Sequence, residues 1–243
     1  MSPAPRRALV TGGSGALGAA ICARLAQAGH HVYVHAHRGQ AAAERLVQQL
    51  RQRQLQAEPL VFDVTDAHAS QAALGPLLET GAIQILVNNA GIHADAVFPG
   101  MSAEQWQRVL DVSLHGFFNV TQPLLLPMLR TRWGRILNMS SVAAQSGNRG
   151  QVNYAAAKGA LISATRALAL EVASRGVTVN ALAPGIIDSG MSEGHFDPAT
   201  IARLVPMGRA GTPADVAAAV DFLVSDAASY VTGQVISING GMY

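Results

Sequence analysis

The chain has 243 residues, 49% hydrophobic, 13% charged and 5% aromatic, with 24 Gly, 11 Pro and one Cys. That apolar content excludes intrinsic disorder, the lone Cys22 excludes an internal disulfide or a thiolate metal cage, and no run approaches the ~20 apolar residues of a membrane span. A formal charge of +2, from 17 basic and 15 acidic residues without a basic run, argues against nucleic acid as a partner. Thr11-Gly12-Gly13 interrupts any export signal behind Arg6-Arg7, so a reducing, cytoplasmic setting is the expectation.

A first strand, predicted at 8–11, leads into Thr11-Gly12-Gly13-Ser14-Gly15-Ala16-Leu17-Gly18 and a helix over 16–28. Gly13, Gly15 and Gly18 satisfy G-x-G-x-x-G in the strand-before, helix-after context of a pyrophosphate cradle. A tight turn without a ligand is the plainer alternative, and the missing lysine excludes a Walker A loop. The second strand, at 31–36, runs into His37-Arg38, and no acid lies between Gly18 and Glu44. An NAD site usually places a carboxylate there for the ribose hydroxyls. Its absence, with a guanidinium at Arg38, favours the 2′-phosphate of NADP, unless Arg38 is only a solvated loop residue.

Helices over 40–53 and 67–79 flank a strand at 59–62, and a strand at 83–87 precedes one long helix over 103–129, capped by Ser102 and Gln105. The fifth strand, at 135–139, is followed by Ser140-Ser141, at the edge where parallel sheets bind ligands. A hydroxyl there can hydrogen-bond a substrate carbonyl, or merely close a turn. In the helix over 152–175, Tyr154 and Lys158 stand one turn apart on a shared face, and Lys158 is the only lysine of the chain. A neighbouring ammonium favours phenolate, which would draw the phenol down from about 10 and make it a usable acid. An exposed tyrosine beside an exposed lysine is the alternative. Strands at 177–183 and 234–238 and a helix over 214–225 complete the pattern. Between them, 184–213 is irregular apart from a short helix near 198–204, and so long a connection is expected to be a lid. Seven apolar strands alternating with helices imply one α/β domain over 1–243, a doubly wound parallel sheet with helices on both faces. His93, His115 and His195 follow no metal-ligand spacing, so no metal is expected and they read as surface or loop residues.

Together these residues resemble the short-chain dehydrogenase/reductase family over essentially the whole chain. Asp63-Val64, Asn88-Asn89-Ala90-Gly91 and Pro184-Gly185 extend the likeness beyond the glycine turn and Tyr154/Lys158. The stretch from Gly150 to Lys158 and the ending Asn239-Gly240-Gly241-Met242-Tyr243 are similar to those of β-ketoacyl-acyl-carrier-protein reductases. Asn148-Arg149-Gly150-Gln151 also looks like reductases of aryl-polyene pigment pathways.

The resemblance implies a Rossmann-type, NADPH-dependent oxidoreductase. It would reduce a 3-oxoacyl thioester, carried by acyl carrier protein, to the 3-hydroxyacyl thioester in fatty-acid or polyene biosynthesis. Tyr154 would protonate the ketone oxygen, Ser141 would polarise it, and Lys158 would hold the nicotinamide ribose. Ser113 takes the place of the family's asparagine, whose main-chain carbonyl holds a water of the proton relay. That exchange is expected to weaken the relay without abolishing turnover. The cofactor would lie along Gly12, Ser14, Gly15, Ala16, Leu17 and Gly18, with His37 and Arg38 at the 2′-phosphate end. Asp63 and Val64 would meet the adenine, and Asn89, Ala90 and Gly91 the adenosine-side ribose. Pro184, Gly185, Ile187 and Ser189 would join Tyr154 and Lys158 near the nicotinamide. Two departures stand out: Ala16 replaces a family glycine, and Gly15 stands where many NADPH-dependent members carry a basic residue. Arg132 and Arg175 match basic positions that dock an acidic carrier, with ordinary helix-end charge as the alternative. A homotetramer joined through the last strand and the helices over 103–129 and 152–175 is implied as well. The rival readings are a reductase of a free small alcohol or ketone, and a non-catalytic cofactor-binding subunit.

Overall fold

The computed structural model describes residues 5–188 and 197–243. Seven parallel strands form one sheet in the order β3-β2-β1-β4-β5-β6-β7. They are β1 Arg7–Val10, β2 His31–Ala36, β3 Ala57–Val61, β4 Ile85–Asn88, β5 Gly134–Met139, β6 Val177–Pro184 and β7 Val235–Ile238. The connecting helices are α1 Ala16–Gln27, α2 Gln40–Gln52, α3 Ala67–Glu79, α4 Ala103–Leu110, α5 Gly116–Thr131, α6 Ala143–Ser146, α7 Val152–Val172, α8 Pro198–Leu204 and α9 Pro213–Val224.

Successive strand residues point to opposite faces, so each central strand feeds two cores. Ala8, Val10, Val32, Val34, Ile85 and Val87 pack under α1, α2 and α9, with Ile21, Leu25, Val47, Val220 and Leu223. Leu9, Tyr33, Leu86 and Ile136 pack under α3, α5 and α7, with Leu74, Leu124, Met128 and Val172. This double burial explains why the strands read as unbroken apolar runs rather than alternating ones. Each fully buried aliphatic side chain contributes about 1.5–3 kcal/mol. The strand order reverses between β1 and β4, the switch point at which ligands bind in open α/β sheets.

The expected helix over 103–129 is not uniform. Its Ser102/Gln105 capping box opens α4, but Asp111–His115 forms a π turn before α5 continues to Thr131. The apolar spacing survives that one-residue slip, which is why periodicity alone did not show it. The helix expected to reach 175 ends as α-helix at Val172 and tightens into a 3-10 turn over Ala173–Arg175. Among the described residues no helix is long and apolar enough to cross a membrane.

Candidate active site

The turn after β1 is built around what a side chain would destroy. Gly12 has φ +64°, and a Cβ on Gly18 would lie 2.2 Å from the Gly12 carbonyl oxygen and 2.8 Å from Gly13 Cα. Gly15 stands at the N-cap of α1 and offers no side-chain cap, so the helix's first N–H groups are left to an outside acceptor. At Gly15 a Cβ would meet only the Gly12 oxygen at 3.5 Å, ordinary contact. The turn is braced from β4. The Asn89 and Ala90 N–H groups donate to the Thr11 hydroxyl, each at 3.0 Å, and Asn89 Nδ2 donates to the Thr11 and Gly12 carbonyls. From β2, buried His35 accepts from Gly12 N–H through Nδ1, leaving Nε2–H for the Phe62 carbonyl at 3.0 Å. Burial pushes the His35 imidazole down to about 4, so it is neutral in this tautomer at physiological pH. A free helix N-terminus over a glycine floor fits a dinucleotide pyrophosphate.

At the end of β2, His37 Nε2 lies 3.6 Å from Asp63 Oδ2, and Ser14 Oγ sits where a Cβ on Gly39 would be. Burial raises the Asp63 carboxyl. The two hydrogen bonds from Thr65 and the charges of His37 and Arg38 outweigh it and hold the group below the usual carboxylate range. The structure thus gathers Ser14, His37, Arg38 and Asp63 at one corner of the cradle. Val64 is buried beside them, and its carbonyl accepts from Asn119 Nδ2.

Next to the cradle, the end of β5 meets the first turns of α7. Lys158 is buried, its Nζ donating to the Met139 carbonyl at 2.8 Å, and Ser140 Oγ donates to the Lys158 carbonyl at 2.9 Å. A Cβ on Gly91 would come within 3.1 Å of that ammonium, so the glycine lets the β4 loop close over it. Ser141 Oγ accepts from Ala143 N–H, and its side chain is near enough to the Tyr154 phenol to favour the ionised form. Lys158 Nζ stands 5.7 Å from the Tyr154 ring centroid. Ser141, Tyr154 and Lys158 therefore do meet, at the carboxyl end of the sheet.

One electrostatic expectation is overturned. Burial pushes the Tyr154 phenol up, an effect that the Ser141 hydrogen bond opposes and the nearby Asp95 charge reinforces. Lys158 is not among the influences that set it: the ammonium is bonded to the Met139 carbonyl and stands 5.7 Å from the ring centroid. The phenol consequently keeps its proton at neutral pH, the state a proton donor requires.

The remaining expected residues are scattered. Ser113 lies in the π turn, which packs on α7, and its buried hydroxyl has no hydrogen-bond partner. Pro184 ends β6, Gly185 N–H donates to Ile238 O, and Ile187 bridges to Gly211, tying the start of the 184–213 stretch to its end just before α9. Ser189 and His195 lie outside the described residues. Arg132 and Arg175 come together, Arg132 Nη2 donating to the Ser174 carbonyl, but they precede β5 and β6 and so occupy the edge opposite Tyr154.

Four residues of this neighbourhood, His35, Asp95, Gln151 and Asn153, were given no role from the sequence. Besides His35, buried Asn153 donates from Nδ2 to the Ala94 and Gln105 carbonyls and accepts from Tyr154 N–H. Gln151 bridges His93 and Asp95, and His93, expected to be an ordinary loop residue, stacks on Tyr154. Only His35 left a sequence signal, as a second histidine within the short strand at 31–36.

A family model described as Enoyl-(Acyl carrier protein) reductase matches residues 13–243. The chain is 43% identical over 236 residues to the 3-oxoacyl-[acyl-carrier-protein] reductase FabG of Aggregatibacter actinomycetemcomitans, covering 96% of this chain and 98% of the relative. It is 40% identical over 241 residues to the protein of that name from Staphylococcus aureus strain Mu50, covering 98% of each. With its counterpart from Vibrio cholerae it shares 40% identity over 239 residues, 97% of this chain and 96% of the relative. A glycine cradle at the switch point, a Ser/Tyr/Lys cluster on the neighbouring strand edge and these full-length likenesses agree: the chain belongs to the short-chain dehydrogenase/reductase family, whose members use a nicotinamide cofactor.

Proposed function

We propose that this protein is an NADPH-dependent 3-oxoacyl-acyl-carrier-protein reductase. The observation that carries the reading is the meeting of Ser141, Tyr154 and Lys158 beside an uncapped helix N-terminus. The names of the relatives supply the substrate class. The glycine cradle of 12–18 and Lys158 would hold a reduced nicotinamide cofactor, whose chemistry when bound would be hydride donation to the β-carbon. The protein's own part is to bind, orient and protonate. Ser141 donates to the ketone oxygen as negative charge grows there, and Tyr154 gives that oxygen its phenolic proton. Lys158, anchored on Met139, would use its remaining N–H groups to hold the nicotinamide ribose. The end of β2 offers Arg38 and no carboxylate to a ribose 2′-phosphate, which favours NADPH over NADH. Beside the N-terminus of α7, an open hollow of about 520 Å³ lined by Val97, Phe98, Pro99 and Val152, with Asn148, Arg149 and Gly150 at its other side, offers apolar surface for an acyl chain.

The purified protein should oxidise NADPH, and NADH more slowly, when given acetoacetyl thioester. Tyr154→Phe should lower kcat by about 10²–10⁴, the share general acid catalysis commonly carries. Equal turnover by the two proteins would remove Tyr154 from the mechanism. Turnover of free ketones but not thioesters would favour the small-ketone reading.

A further inference from the structure

The loop after β4 carries His93 against the outer side of the phenol. The imidazole and Tyr154 rings stack with centroids 4.3 Å apart and planes inclined by 27°. The histidine is held from behind. Gln151 Nε2, which can only donate, stands 3.4 Å from His93 Nδ1 and 2.8 Å from Asp95 Oδ2. Asn148 Nδ2 donates to Gln151 Oε1 and fixes the amide's orientation. Asp95 Oδ1 is 3.9 Å from His93 Nδ1. The loop itself is fastened to the start of α7, with Ala96 N–H donating to Gly150 O and Asn153 Nδ2 to Ala94 O.

We propose that His93 is a positioning residue for Tyr154, its flat ring setting the plane of the phenol and shielding one face of it from water. The inference rests on the reading of Tyr154 as the proton donor. A phenol pivots about two torsions, and a small rotation carries its oxygen away from a ketone held by Ser141. A stacked planar ring restricts that rotation along its whole face, which an aliphatic side chain of equal bulk does not. Gln151 and Asp95 keep the imidazole from swinging into solvent, toward which much of its surface is turned.

The test compares His93→Ala, His93→Leu and His93→Phe. With acetoacetyl-coenzyme A, the first two should lose about tenfold in kcat while KM and the NADPH dissociation constant stay within about twofold, the pattern of misplaced chemistry rather than lost binding. His93→Phe restores the stack and should return kcat to within about threefold of the unsubstituted protein. Independently of any substrate, alkaline absorbance titration, with Tyr154→Phe as the subtracted reference, reads the phenol directly. Its midpoint should fall in His93→Ala, as water reaches the ring, and stay in place in His93→Phe. Unchanged kcat and midpoint in His93→Ala would overturn the proposal. So would a rise confined to KM, which would make the ring a wall of the substrate mouth. A His93→Phe variant as impaired as His93→Ala would also overturn it, by shifting the role to an imidazole nitrogen. Should the unsubstituted protein leave the thioester untouched, the reductase reading fails, and the titration still decides whether His93 governs the phenol.

Discussion

The buried ammonium of Lys158 shows how the site trades stability for chemistry. Burial moves it from an ordinary 10.5 to about 8, so between those values the folded chain binds fewer protons than the unfolded one. Stability therefore rises with pH across that window, and the full penalty applies below it, at pH 7 included. The ceiling of that penalty is on the order of 3 kcal/mol, and losing the bond to Met139 offsets about 1 kcal/mol of it. Lys158→Met should raise the unfolding free energy by about 1–3 kcal/mol at pH 7 while abolishing turnover, the gain shrinking as the pH approaches 10.5. Urea unfolding at the two pH values checks it, and a less stable variant at pH 7 would show that the ammonium is not a burden. Ser113 poses the neighbouring question. Its hydroxyl is buried and unpartnered, so Ser113→Ala removes a polar group that nothing satisfies. That change should stabilise by about 1 kcal/mol in thermal or chemical unfolding. Turnover should persist, because the family resemblance implies a main-chain role at this position, which a side-chain change weakens but does not abolish. Loss of turnover would place the hydroxyl itself in the chemistry.

At the scale of elements, the cradle sorts its glycines by what surrounds them. Gly18→Ala would drive a Cβ to within 2.2 Å of the Gly12 oxygen, whereas Gly15, with φ −78°, has an ordinary backbone and would bring a Cβ only into ordinary contact with that oxygen. Gly18→Ala should therefore weaken NADPH binding more than tenfold and lower the melting temperature by several degrees, while Gly15→Ala changes either only slightly. Fluorescence titration and thermal unfolding of the two variants decide it, and similar behaviour of both would mean that the cradle rearranges freely. This asymmetry was only half legible. The sequence pattern marked Gly13, Gly15 and Gly18 alike, because a motif records spacing and not which Cβ would collide. The strands were legible because burial on both faces leaves an apolar run. The π turn was not, since the apolar face on either side of Asp111–His115 continues nearly in phase. Tyr154 and Lys158 could be paired from one helical period. His35, Asn153 and His93 could not be assigned, because their partners come from segments distant in sequence that only the fold assembles. The direction of the Tyr154 shift was missed for the same reason: helical spacing reveals a neighbouring charge, but not how much water both groups have lost.

Across the whole molecule, chemistry and the expected carrier contacts occupy opposite ends of the sheet. Arg132 and Arg175 precede the first residues of β5 and β6, whereas Lys158 is anchored where β5 ends. A six-residue strand separates those edges by about 20 Å. The two arginines are consequently too far from Tyr154 to act on a ketone, and any influence they have on turnover passes through a partner large enough to touch one edge while reaching the other. An acidic carrier with a flexible acyl arm meets that description, as does a carrier docked on one copy of an oligomer that serves the cleft of another. Reversing both charges, Arg132→Glu with Arg175→Glu, should raise KM for a carrier-linked 3-oxoacyl substrate about tenfold or more at low salt. The effect should fade as ionic strength rises, because contacts at the rim of an interface are screened. On acetoacetyl-coenzyme A, which needs no protein docking, kcat and KM should stay within about twofold. Parallel losses on both substrates would mean that the pair supports the fold through the Ser174 contact instead. No loss on either would leave these residues as ordinary charges at the ends of helices and return the docking surface to some other face.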